Sequence, residues 1–396
     1  MIKVKKNLIV YFYAYFAVNL CFIYVNVYLP IYFFTILDVD RTKLAFVQIF
    51  AYSALFVRPA LAVFFDLKDV KKKIVVIFSA IGVVVGFTLF LLMVEYLVLF
   101  GIFLFVNLAA GSILFVAINK IIVESSLDEK TKDKNASFTQ IGSIFGAILP
   151  NIFIFFVFGD DIYSLYSWHA FFLLGILSII PLVIISLLIK DLKAQTAKSS
   201  SDIIKNENIA KIQYIPIVLM SLLIFLFYAE RIYEYPMEPW VLSRIGINKF
   251  MIVVIAFLIL VILNALGVLI AGIVSRKYNR INILIICLLG YGVLMIIAPF
   301  TDIIVFFVLF GIMQIFSGFI VVNVFALMID YSKKKAVYFQ LMATFYIVAT
   351  VIFVPLGTYL SSKISTELII VIAGVAKLIS IVPILMLKKY KVETLN

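Results

Sequence analysis

The sequence predicts an all-α integral membrane protein whose twelve transmembrane helices form two pseudo-symmetric six-helix bundles. Three observations carry that prediction: an apolar excess that no water-soluble core could hide, twelve apolar stretches of membrane-crossing length, and one long polar break dividing them six and six. Of the 396 residues, 65% are hydrophobic and 14% charged, with a mean hydropathy of +1.20. Soluble domains run about 45–50% apolar and about 25% charged. Lipid must therefore be the solvent for much of this chain.

A helix rises about 1.5 Å per residue, so crossing a ~30 Å hydrocarbon layer takes roughly 20 residues. In chain order, residues 8–36, 44–65, 74–94, 96–123, 136–158 and 168–189 are predicted spans. They are followed by 214–235, 250–274, 281–299, 303–330, 336–358 and 367–387. None shows the short, strict alternation of a transmembrane β-strand. The first stretch exceeds the ~7–15 apolar residues of a signal-peptide core, and no small-x-small cleavage site follows, so it is expected to persist as the first helix. Cys21 and Cys287 lie inside apolar stretches, which argues against a disulfide framework. The break, "KDLKAQTAKSSSDIIKNENIAKIQ", has the composition of a flexible linker. It delimits an N-terminal bundle (1–189), a linker (190–213) and a C-terminal bundle (214–396).

Orientation follows from the basic residues. With both termini cytoplasmic, most of the 33 Lys and Arg fall in cytoplasmic segments. The outer loops hold only Arg41, Lys43, Arg244, Lys249 and Lys363. That bias is the positive-inside pattern of a multi-pass protein, here expected in a plasma or bacterial inner membrane. It also accounts for the net charge of +12 without a nucleic-acid partner.

The two sets of six helices echo one another. "NASFTQIGSIFGA" from Asn135 lines up with "KAVYFQLMATFYI" from Lys335, placing Gln140 over Gln340. The loop after the second span, "DLKDVKKK", has a counterpart in "SRKYNR" after the eighth. Internal symmetry of this kind marks carriers built from repeats, with the substrate site at the repeat interface near the midplane. On these features the chain resembles the major facilitator superfamily over essentially its whole length. That family's Gly-x-x-x-Asp-Arg-x-Gly-Arg-Arg pattern is present in worn form: Asp66 matches, Lys71 and Lys72 supply the basic pair, and Ala62, Leu67 and Asp69 depart from it. The second copy has Gly272, Arg276, Lys277 and Arg280, with Asn279 expected to take a left-handed turn. "YSWHAFFLLGIL" is similar to the aromatic start of the family's sixth helix. The resemblance implies the major facilitator fold, alternating access, and an inner gate made of Asp66, Lys71, Lys72, Arg276 and Arg280.

Ionisable residues inside spans are the candidate site, because a charge at the bilayer centre costs at least ~2.5–3.5 kcal/mol. Arg58 lies eight residues before Asp66, about 12 Å deeper at helical rise, and precedes Pro59, which frees a backbone carbonyl. Snorkelling to the headgroups is the structural alternative. In the resembled superfamily the second helix lines the cavity. Its nitrate and nitrite porters carry an anion-binding arginine at this distance from the loop, and its sodium-coupled sugar porters carry Asp-Pro there. The porters' second arginine has no counterpart in "NALGVLIAG", so the resemblance stops short of nitrate. In "FYAERIYEYPMEPW", Glu230 and Glu234 stand i,i+4 on one face and Arg231 can pair with Glu234. This trio is expected in the outer third of the membrane as proton acceptors or an outer gate, since a desolvated carboxylate takes up a proton more readily. Asn19, Asn26, Asn107 and Gln314 are candidate substrate-binding groups, with Asn323 a further polar position; polar side chains also hold helices together. Lys377, mid-way along the last span, is expected to snorkel or meet a structural partner.

Enzymatic readings find little support. The single histidine, His169, cannot build a histidine metal cluster, and neither CxxC nor a glycine-rich phosphate loop occurs. "DVD", with Asp38 and Asp40, could hold a metal in a glycosyltransferase, but the outer loops are too short for an acceptor-binding domain. The sequence therefore predicts a monomeric secondary transporter without cofactor or metal. It carries a small solute, expected to be an organic anion, with H+ as the candidate coupling ion and membrane lipids as surroundings. An exporter of amphipathic compounds or a lipid flippase of the same fold is the alternative.

Overall fold

A computed structural model describes residues 2–58, 60–61, 64, 71–125, 129–158, 163–189, 214–246, 250–275, 278–331 and 336–393. Among these, ten helices are long and apolar enough to cross a membrane. Two further helices, on the second and fifth predicted spans, complete the expected set. In order they are α1 (Asn7–Ile36), α2 (Arg41–Ser53, continued by a 3-10 turn Ala54–Phe56), α3 (Lys72–Leu92), α4 (Leu97–Ser125), α5 (Glu129–Val157) and α6 (Leu165–Ser186). Next come α7 (Ile215–Ile245), α8 (Phe250–Val274), α9 (Arg280–Ile297), α10 (Ile303–Tyr331), α11 (Ala336–Leu360) and α12 (Thr366–Lys389). The protein is a multi-pass integral membrane protein.

Short polar residues start several helices, because the first turn leaves backbone N–H groups without intrahelical partners. Asp40 Oδ1 accepts from Lys43 N at 2.8 Å to start α2. Asp302 Oδ1 accepts from Ile304 N at 2.9 Å to start α10, and Ser365 caps α12 through Leu368 N. Asn279 was expected in a left-handed turn but has φ −64° and ψ 118°. Its side chain instead accepts from Ile281 N at 2.9 Å, a capping role that needs extended backbone.

Two helices are irregular at depth. α1 contains π turns at Tyr24–Tyr28 and Tyr32–Ile36. α7 is interrupted by a 3-10 turn over Tyr228–Tyr233, then resumes as Glu234–Ile245. The expected end of this span near residue 235 was too early. Pro236 lies in the first turn of the resumed helix, where a missing N–H costs little. The resumed helix also carries Pro239 and runs on to Gly246 (φ 99°).

Most packing joins helices that are not consecutive in the chain. α1 packs on α5, α3 on α4, and α2 on α4; later, α8 packs on α10, α9 on α10 and α12, and α7 on α11 and α12. Contacts between the first six and last six helices run through α2–α11, α5–α8 and α1–α7. Small residues set the closest approaches, as expected where lipid gives no hydrophobic drive between helices. A methyl at Gly318 of α10 would sit 2.6 Å from Asn264 O of α8, and one at Gly146 of α5 would overlap Phe16 O of α1. Outward-facing side chains such as Phe78, Phe156 and Ile304 are exposed apolar groups that suit acyl chains.

Candidate functional site

Three adjoining cavities run along the contact between the first and last six helices. The largest, about 460 Å³, is walled by α1, α2, α4, α5, α7, α10 and α11. Its lining includes Asn119 near the end of α4 and Met328 near the end of α10, so it lies in the half of the molecule that carries the chain termini. A second cavity of about 260 Å³ shares Phe22 and Arg231 with it. A small third space, about 50 Å³, joins the set through Arg58 and Asn26.

Arg58 and Arg231 both face the largest cavity. Arg58 Nε donates to Ser112 Oγ at 3.0 Å, and the guanidinium lies 5.1 Å from the Phe115 ring centre. No carboxylate stands within ion-pair distance of Arg58 among the described residues. Arg231 is ion-paired with Glu234 and donates from Nη2 to Tyr346 OH at 3.0 Å. Its guanidinium is also boxed by Phe22, Tyr228 and Tyr346, with ring centres at 4.7, 5.7 and 5.0 Å. Arginine suits such a place because its planar charge stacks on rings and keeps several donors.

The trio Glu230, Arg231 and Glu234 occupies the middle of α7, since Ile215–Ile245 is the full span. The expectation of an outer-third position fails because α7 extends beyond its prolines. The 3-10 turn also breaks the i,i+4 register, so Glu230 and Glu234 take different partners. Glu230 Oε2 meets Lys377 Nζ at 2.9 Å and accepts from Tyr291 OH at 2.7 Å. Lys377 is fully buried, with its ammonium 3.2 Å from the Phe227 ring centre. Glu238, one turn further along, is buried in the second cavity.

The neutral candidates are distributed along the same path. Asn19 lines the largest cavity and donates to Ser143 O at 2.6 Å. Asn26 lines the two smaller ones; it donates to Phe22 O at 3.1 Å and accepts from Tyr52 OH at 2.6 Å. Asn107 lines the smallest and donates to Val83 O at 2.9 Å. Gln314 lines the second and accepts from Asn264 Nδ2 at 3.3 Å. Away from the cavities, exposed Lys71 precedes α3 and Lys72 begins it. Arg280 reaches Asp330 at 3.4 Å. Asp66 and Arg276 lie outside the described residues. Among the described residues no cluster of His, Cys, Asp or Glu could hold a metal ion.

At the opposite end a hydrogen bond joins the first six helices to the last six. Arg41 Nη1 donates to Ser361 O at 2.6 Å and packs over Phe34 at 4.9 Å, tying the start of α2 to the segment after α11. Sequence reasoning missed Tyr15, Asn119, Tyr346 and Glu238. Only Glu238 had a visible signal, continuing the i,i+4 series of Glu230 and Glu234.

The family model described as the Major Facilitator Superfamily matches residues 219–395. The matched stretch, from within α7 to α12, is similar to that superfamily. The chain is similar in fold to a D-xylose-proton symporter, with 13% identity and a TM-score of 0.75, covering 97% of this chain and 96% of that one. It is similar to the nucleoside transporter NupG at 16% identity and a TM-score of 0.68, over 98% and 99% of the two chains. The xylose transporter XylE from E. coli in a partially occluded inward-open conformation matches at 12% identity and a TM-score of 0.74, over 96% and 97%. Identities of this size carry the fold and nothing finer. No curated protein matches the sequence.

Proposed function

We propose that this chain is a secondary transporter of the major facilitator type that carries a small organic anion across the membrane by alternating access. Two bundles, residues 1–189 and 214–396, rock about the central cavities, with 190–213 as their linker. The observation that carries the reading is that two guanidiniums, Arg58 and Arg231, share the wall of one cavity while Arg58 has no carboxylate partner among the described residues. A buried cation without a fixed counter-ion is costly, and an anionic cargo relieves that cost in the loaded state. Asn19, Asn119 and Tyr15 add neutral hydrogen-bonding groups, and Phe22, Phe115 and Tyr346 add ring faces for an apolar body. With cytoplasmic termini, as the basic loops favour, the largest cavity faces the cytoplasm. In this reading Arg41 holds the far side shut, and Asp66, Lys71, Lys72, Arg276 and Arg280 gate the near side in the complementary state.

A neutral polar cargo is the second reading. It is favoured by the same Asn and Tyr groups and by the sugar and nucleoside transporters among the structural neighbours. A thermal-shift screen on the purified wild type, Arg58→Ala and Arg58→Lys separates the two. Carboxylates, phosphorylated metabolites, sugars, nucleosides, amino acids and cationic drugs form the panel. Under the anion reading a carboxylate or phosphate stabilises the wild type by mass action, weakly the Lys variant and not the Ala variant. Sugars or nucleosides that stabilise all three alike overturn it.

A further inference from the structure

The largest cavity has two unlike walls. The first six helices give it, among apolar neighbours, the polar groups Tyr15, Asn19, Arg58, Asn119 and Ser143. α10 and α11 give it Val321, Val324, Phe325, Met328, Ala343 and Ile347, with Tyr346 as their one polar group. The first half of α7 extends that apolar wall with Ile224 and Phe227, before Tyr228 and Arg231.

The neutral groups of the polar wall are bonded to one another. Asn19 Nδ2 donates to Ser143 O at 2.6 Å, and Tyr15 OH donates to Asn119 Oδ1 at 2.6 Å. A cargo covered in hydroxyls must break these bonds or turn its own hydroxyls toward aliphatic side chains. Either course leaves polar groups unpaired away from water, which is costly.

Charge is divided just as unevenly. Arg231 is matched by Glu234 and held by Tyr346 OH at 3.0 Å. Arg58 has no carboxylate at ion-pair distance among the described residues. Ser112 Oγ accepts from its Nε at 3.0 Å, so an incoming carboxylate meets the terminal nitrogens, where both of its oxygens can bond. That accounts for one negative charge. A second one on the cargo would face the apolar wall without a partner, which a low-dielectric surrounding penalises.

We propose that the cargo is an amphipathic monoanion: a single carboxylate seated on Arg58, with a compact apolar body laid against α10, α11 and the first half of α7. The cavity of about 460 Å³ is within the usual size of a small-molecule site, ~300–1,000 Å³. This assignment rests on the anion reading above and narrows it, setting aside dicarboxylates, phosphorylated metabolites and sugar acids.

Calorimetry on the purified full-length protein at neutral pH, with two matched pairs of acids, tests it. para-Toluate and terephthalate share a ring and differ by a methyl against a second carboxylate. Hexanoate and gluconate share a chain length and differ by hydroxyls. The wild type is expected to bind the apolar member of each pair about tenfold tighter. Arg58→Ala is expected to lose all four acids. The double variant Val324→Thr/Ile347→Thr, which keeps side-chain branching and adds hydroxyls to the apolar wall, is expected to narrow both ratios severalfold. Arg58-dependent binding in which terephthalate or gluconate equals its apolar counterpart overturns the amphipathic assignment and leaves the anion reading standing. Ratios unchanged in the double variant overturn the placement of the body. Acids that bind Arg58→Ala as well as wild type, or no binding of any of the four, overturn the anion reading itself.

Discussion

Lys377 of α12 and Glu230 of α7 form an ion pair at 2.9 Å in which the lysine has no exposed side-chain surface. Tyr291 of α9 donates to the same carboxylate oxygen, so three helices meet at one buried charge pair. Removing one member of such a pair strands the other, at a cost of about 3–5 kcal/mol, whereas removing both can be nearly neutral. Lys377→Met is therefore expected to lower the unfolding temperature sharply, and the double variant Lys377→Met/Glu230→Gln to recover most of the loss. Thermal unfolding in detergent checks this; equal losses in single and double variants would contradict it.

Tyr346 supplies both a ring and a hydroxyl to Arg231. Tyr346→Phe keeps the ring and removes the acceptor, so affinity for an anion found in the screen is expected to weaken about two- to tenfold. Tyr346→Leu removes both and should weaken it further. Isothermal titration of the three proteins distinguishes a hydrogen-bonding role from a stacking one.

Gly318 brings α10 onto the backbone of α8. Because a Cβ there would lie 2.6 Å from both Asn264 O and Val268 N, even Gly318→Ala forces the helices apart. The expected loss is about 1–3 kcal/mol, larger for Val. Gly272, which meets nothing within 4 Å, is the control position at which Ala should be tolerated. Denaturation of the three variants side by side gives the comparison.

Arg41 ties α2 to Ser361 across the far end. Replacing it with Ala removes the hydrogen bond and the stacking on Phe34, which should shift the population toward a state open at that end. A cysteine at Phe34 is then expected to react severalfold faster with a membrane-impermeant maleimide in the Arg41→Ala background. An unchanged rate would mean that the apolar contacts alone keep this end shut.

Most of the fold was legible because lipid imposes one rule on every span: apolar side chains and a closed backbone hydrogen-bond ladder. Helix positions followed from that rule to within a few residues, apart from the start of α5 and the end of α7. There Pro236 and Pro239 read as a stop, although near the start of a resumed helix proline is compatible with continuation. The site was harder to read. Arg58 announced itself as a lone charge between apolar runs, yet its neighbours Ser112, Phe115 and Tyr346 are ordinary membrane residues until the helices are assembled. Lys377 was equally visible, but its partner lies on a helix far away in sequence, and pairing across such distances leaves no local pattern. Glu238 sat in plain view and was passed over because Glu230 and Glu234 already satisfied the spacing rule.

The 3-10 turn of α7 has a geometric consequence for every position after it. An α-helix advances about 100° per residue and a 3-10 helix about 120°. Over the six residues Tyr228–Tyr233 the accumulated rotation reaches about 120° beyond an unbroken α-helix. One helical wheel drawn through the whole span therefore assigns the wrong azimuth to the segment from Glu234 onward. Two wheels offset by a third of a revolution describe it, which fits Glu230 meeting Lys377 while Glu234, four residues on, pairs with Arg231. Shortening or lengthening the turn by a single residue would re-aim Glu234 and Glu238 together.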